Sequence, residues 1–115
     1  MPRRPLIVAM WAAAAIASPA WAQNPQGLEI FVRPEKGNCI ACHQVPAGAG
    51  PETKSNLGPR LDGTRMRALG RAALRELIQD PTRANPDTVM TPYGRHHILE
   101  RPEIDQVVEY LHALP

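Results

Sequence analysis

Cys39-Ile40-Ala41-Cys42-His43 decides how the rest of this chain is read. Two cysteines three positions apart lie on one side of a helical turn, so both thiols reach the same edge of a flat ligand. The histidine directly after them brings an imidazole to the same place. Cys-x-x-Cys-His is the attachment pattern of c-type haem. Each thiol forms a thioether with one vinyl group, and the imidazole of His43 serves as the proximal iron ligand. Other chemistries are open to a Cys-x-x-Cys pair. A dithiol redox site belongs in a βαβ context, and none is visible. Structural zinc needs four ligands, and no second pair stands at finger spacing. A plain disulfide leaves His43 without a role. The reading is one covalently bound haem c, anchored by Cys39 and Cys42.

Upstream of the motif the chain carries the pattern of a secretory signal. Arg3 and Arg4 form a charged start, residues 6–17 an apolar run, and Ala20-Trp21-Ala22 a small-x-small site before Gln23. The apolar run is shorter than the ~20 residues of a spanning helix. The expectation is a cleaved signal over residues 1–22, no membrane anchor, and one haem-binding domain over residues 23–115 in the periplasm. Haem c is attached outside the bacterial cytoplasm, so signal and motif support each other.

Removing the signal changes the balance of the chain. Of 13 basic residues Arg3 and Arg4 leave, so 11 face the 11 acidic ones and the formal charge of +2 falls to zero. Nothing in this balance suggests a nucleic-acid or anionic-membrane binder. Trp11 and Trp21 leave as well, and the remaining aromatics are Phe31, Tyr93 and Tyr110. So small a domain has a modest core. Burying several hundred Å² of macrocycle contributes on the order of 10 kcal/mol at ~25 cal/mol per Å². The apoprotein is therefore expected to fold poorly.

Around the motif the pattern is helical and loop-rich. Leu28, Phe31 and Val32 recur at i, i+3 and i+4, a short amphipathic helix opened by Pro25 and stopped by Pro34 and Gly37. Residues 44–63 are too dense in Gly and Pro for helix or strand. Within them, the Gly58-Pro59 turn offers a carbonyl, that of Pro59, to the second ring nitrogen of His43 and so fixes its tautomer. Arg60, Arg65, Arg67, Arg71 and Arg75 follow, either a solvated face or a patch that meets an anion, a partner or the haem propionates. Residues 71–80 form a helix with Leu74, Leu77 and Ile78 inward, ended by Asp80-Pro81. A final helix begins at Pro102 and Glu103, turns Ile104, Val107, Val108, Leu111 and Leu114 to one side, and packs on the first helix.

Met90 belongs to no helical stripe. It sits in an extended, proline-bracketed loop, a rigid way to hold a thioether over the open face of a haem, and is the candidate distal ligand. Its rivals are Met66, His96, His97 and His112, which also have ordinary core or surface explanations.

The order of short helix, Cys-x-x-Cys-His, Gly-Pro-x-Leu, helix, methionine loop and terminal helix resembles class I cytochrome c. It implies an all-α fold of three to five short helices wrapped around one haem. A narrower resemblance, to the SoxX family, rests on Lys36-Gly37-Asn38-Cys39, Asn56-Leu57-Gly58-Pro59, Leu74-Arg75-Glu76-Leu77-Ile78-Gln79-Asp80-Pro81, Asn85-Pro86-Asp87-Thr88-Val89-Met90 and the segment 103–111. SoxX is the mono-haem subunit of SoxAX cytochromes. The resemblance implies a heterodimer with a SoxA-like c-type cytochrome that carries the reacting haem. That complex joins thiosulfate oxidatively to a cysteine of the carrier SoxYZ, as an L-cysteine S-thiosulfotransferase. The SoxX haem passes electrons to a soluble cytochrome and is not catalytic alone. By the same resemblance Cys39 and Cys42 hold the haem, and His43 and Met90 are its axial ligands. This chain departs from the family at Thr91, where proline is usual, and at Tyr93, where phenylalanine is frequent. His/Met ligation leaves no open coordination position, so electron transfer follows rather than substrate binding. The alternative is a free-standing periplasmic electron shuttle.

Overall fold

The last apolar stripe makes the longest helix, and the other helices are laid against it. In the computed structural model, which describes residues 1, 2 and 12–115, four helices follow one another: α1 (Pro25–Val32), α2 (Gly63–Leu69), α3 (Arg71–Gln79) and α4 (Arg101–His112). No strand occurs among the described residues. Arg3, Arg4 and the first half of the apolar run lie outside them. Residues 12–19 have no regular secondary structure, and the single turn Ala20–Gln23 lies beside α4 with Trp21 partly buried.

On α4, Ile104, Val107, Val108, Leu111 and, just past its end, Leu114 are all buried, the stripe expected from their spacing. Pro102 stands in its first turn, and the Glu103 carboxylate accepts the N–H of Glu100 at 2.8 Å, satisfying a donor the helix leaves open. Lys36 also pairs with Glu103, tying the turn before the cysteine motif to the start of α4. Lys36 first, and the Glu100 N–H second, hold that carboxyl below its usual range.

Helix α1 crosses α4 at backbone range. A Cβ on Gly27 would stand 2.2 Å from the Gln106 carbonyl oxygen and 2.7 Å from Tyr110 Cβ, so the crossing admits only glycine. One turn on, the rings of Phe31 and Tyr110 meet at 5.3 Å between centroids, tilted by 56°. The buried Tyr110 hydroxyl donates to the Ala49 carbonyl at 2.9 Å, which fastens the long loop to α4.

Helix α2 was not expected. Its stretch shows only Met66 and Leu69 as large apolar residues among arginines, and it opens on a glycine. Asp62 supplies the start signal: its side chain accepts the Arg65 N–H at 2.8 Å. The arginine run also proves not to be one patch. Arg67 donates to the Leu114 and His112 carbonyls at 2.8 and 3.2 Å. Arg71 grips Glu109 through two nitrogens, at 2.8 and 3.1 Å, and Arg75 meets Asp105 at 2.5 Å. Exposed pairs of this kind contribute about 0–1 kcal/mol each, and here they set how α2 and α3 lie along α4. Arg60 reaches the Gln44 side chain at 3.3 Å, and Arg65 makes no ion pair among the described residues.

Candidate functional site

Asn38 adopts a left-handed backbone, φ 46°, and turns the chain into a single 3-10 turn at Cys39–Ala41. The His43 N–H then closes on the Cys39 carbonyl at 2.9 Å, which stacks histidine over first cysteine. Both cysteines are free and only partly exposed. Burial pushes the Cys39 thiol up to about 12, so it stays protonated near neutrality. Dithiol oxidoreductases work through a lowered thiol pKa, and this environment does the opposite.

His43 Nδ1 lies 2.7 Å from the Pro59 carbonyl oxygen. An oxygen there accepts only, so Nδ1 carries a proton, and Nε2 is the nitrogen left to meet a metal. The turn that offers this carbonyl is fixed to the motif by several bonds. Gly58 N–H reaches Cys42 O at 2.8 Å, Leu61 N–H reaches Gln44 O at 2.9 Å, and Ser55 Oγ donates to Ala41 O at 2.7 Å. Gly58 lies against the imidazole: a Cβ there would stand 2.4 Å from Cε1 and 2.8 Å from Nε2. Gly58→Ala must therefore displace the ring. Overpacking of this kind costs typically about 1–3 kcal/mol, so the denaturation midpoint of the holoprotein should fall, with a changed visible spectrum. An unchanged spectrum and midpoint would show that the ring does not depend on this contact.

Cys39, Cys42, His43 and Met90 all line one cavity of about 420 Å³. Its walls are mainly apolar and include Phe31, Leu61, Leu74, Leu77, Ile78 and Leu111. Arg65 is the one charged side chain of the lining, and Thr88, Thr91 and Tyr93 add hydroxyls. Among the rivals to Met90, Met66 shares this cavity; it is 2% exposed, on the helix that begins just after the Pro59 turn. His96, His97 and His112 are not part of the lining. His97 lies in a separate cleft with Arg75 and Arg101, and His112 stands 3.5 Å from Arg71. Sequence reasoning missed the role of Gly58 as the plate behind the imidazole and a bond from Tyr93 to the Gly37 carbonyl, 2.5 Å long.

These residues fit a covalent haem. Two thiols, an imidazole with one ring nitrogen bonded, a thioether, apolar walls and a single cation answer a flat, greasy, iron-bearing group with two carboxylates. Four helices around such a cavity, with no strand among the described residues, define an all-α, class I cytochrome c-like fold. The sequence profile of the cytochrome c family matches residues 26–115, and the chain belongs to that family. A domain of this family carries a covalently bound haem c and is of the electron-transfer type. An uncharacterized lipoprotein of Aquifex aeolicus strain VF5 is 34% identical over 83 residues, which covers 68% of this chain and 37% of that protein. The chain thus spans well under half the length of this relative.

Proposed function

We propose that Cys39 and Cys42 anchor the haem, that His43 and Met90 are its axial ligands, and that the chain is the electron-accepting SoxX-like subunit of a thiosulfate-conjugating complex. One observation carries the ligation: four chemically suited side chains meet in one apolar cavity, with His43 Nδ1 already committed to Pro59. When bound, the haem supplies a one-electron couple. The chain's own residues do the rest. The Pro59 carbonyl orients the imidazole, the aliphatic walls keep water away, and Arg65 is the cation within the lining available to a propionate. The Met90 thioether, if bound to the iron, would raise the potential, which suits an acceptor.

The narrower role is supported by the Lys36-Gly37-Asn38-Cys39 and Asn85-Pro86-Asp87-Thr88-Val89-Met90 segments. In such a complex a carrier cysteine thiol and thiosulfate join through a new sulfur–sulfur bond, releasing two electrons and one proton. Those electrons leave through subunits of this kind toward a soluble cytochrome. The partners proposed are a SoxA-like c-type cytochrome and, through it, a SoxYZ-like carrier. Export to the periplasm through the signal of residues 1–22 belongs to the same reading. No helix among the described residues is long and apolar enough to cross a membrane.

Purification of the native protein tests this role. A stable heterodimer with a second c-type cytochrome, active in thiosulfate conjugation, is the expected result. A monomer that exchanges electrons with soluble cytochromes but binds no such partner would replace it with the free-standing shuttle.

A further inference from the structure

The loop that carries Met90 is held mostly by itself. Between residues 85 and 92 its hydrogen bonds are local: Thr88 N–H to Asn85 O at 3.1 Å, Asp87 N–H to Asn85 Oδ1 at 3.2 Å, and Met90 N–H to Thr88 Oγ1 at 3.1 Å. Three residues beyond the methionine this changes. The Tyr93 hydroxyl donates to the Gly37 carbonyl at 2.5 Å, across 56 positions of sequence. Gly37 stands two residues before Cys39, and a Cβ on it would be 3.0 Å from Cys39 Sγ. The N–H of the same peptide, that of Asn38, is bonded to Arg33 O at 3.1 Å, and the Gly37 N–H to Ile30 O of α1 at 3.0 Å, so the acceptor is itself fixed. The other end is fixed too, because the Tyr93 carbonyl accepts from Ile98 and Leu99 at 2.9 and 3.1 Å. Tyr93 is half-buried and lines the same cavity as the cysteines and Met90.

We propose that Tyr93 is a positioning residue: its hydroxyl straps the methionine loop to the turn that presents Cys39, and thereby keeps Met90 seated in the haem cavity against competing ligands. The inference rests on the His43/Met90 ligation proposed above. The strap acts on an opening equilibrium. An added ligand that displaces the methionine binds only the open loop, so its apparent affinity is scaled by the open fraction. An uncharged hydrogen bond changes such an equilibrium by roughly three- to tenfold.

The test uses ferric holoprotein titrated with imidazole, followed by loss of the sulfur-to-iron charge-transfer band. Tyr93→Phe should bind imidazole about three- to tenfold more tightly than wild type. Tyr110→Phe is the control, since it also removes one hydroxyl-to-carbonyl bond, at 2.9 Å to Ala49, but Tyr110 is not part of the cavity lining. Its imidazole affinity should stay at the wild-type value. Equal affinities for Tyr93→Phe and wild type, or an equal rise in Tyr110→Phe, overturn the strap. A wild-type protein without the band overturns the Met90 ligation instead, and this inference with it. Should Tyr93→Phe fail to mature, native-state hydrogen exchange on wild-type holoprotein decides. The amides of Gly37, Ile98 and Leu99 should then open in one step of common free energy. A loop pair that opens independently of Gly37 contradicts the proposal.

Discussion

Without haem, this chain should lose most of its helix. A Cys39→Ser/Cys42→Ser variant produced in the cytosol, colourless and haem-free, is expected to show weak far-UV circular dichroism and no cooperative melt. The reason is visible in the core. Phe31, Leu61, Met66, Leu74, Ile78 and Leu111 are buried, yet all of them also line the cavity, so each needs the macrocycle to complete its packing. Withdrawing a group whose burial contributes on the order of 10 kcal/mol removes as much as a small domain's entire stability of about 5–15 kcal/mol. Local propensity does not compensate. The longest helix, α4, has 12 residues, at the edge of what is marginal for an isolated helix in water, ~12–15. A sharp melt with helical content equal to the holoprotein would mean that α1, α3 and α4 form a sufficient core alone.

The same dependence explains what could be read from the sequence. Helices α1, α3 and α4 announce themselves by spacing, because each carries three or more large apolar residues recurring on one face. The carbonyl that meets His43 was legible too, since a metal-seeking imidazole needs its other nitrogen bonded and Pro59 stands in the nearest tight turn. What stayed hidden depends on contacts between distant residues. Nothing near Gly27 indicates that α4 passes 2.2 Å from where its Cβ would be. The arginines at 67, 71 and 75 look like a surface patch until the chain end and the acids of α4 arrive beside them. Helix α2 was lost for a related reason: its capping residue, Asp62, sits in a glycine- and proline-rich run that reads as loop. The Tyr93 hydroxyl likewise finds its acceptor 56 positions away.

Met90→Ala should give a coloured, haem-bearing protein with no sulfur-to-iron charge-transfer band. Its reduction potential should fall by roughly 0.1–0.3 V, a fraction of the ~0.8 V over which axial ligands command haem potentials. Both effects come from one exchange, a thioether for water or a weaker donor on the iron. Met66→Ala separates ligation from packing. Met66 is 2% exposed and held within α2, so its truncation should cost about 2–5 kcal/mol as a cavity-forming change while leaving band and potential in place. The two methionines differ in the way a ligand differs from a wedge. Met66 belongs to the helix that follows the Pro59 turn, whose carbonyl is bonded to His43. Met90 is partly buried, in a loop whose local bonds include its own N–H to Thr88 Oγ1, and it lines the cavity. If Met66→Ala removes the band and Met90→Ala retains it, the axial assignment reverses. The methionine loop would then be a cover over the haem, and its connection to the attachment turn a matter of folding alone.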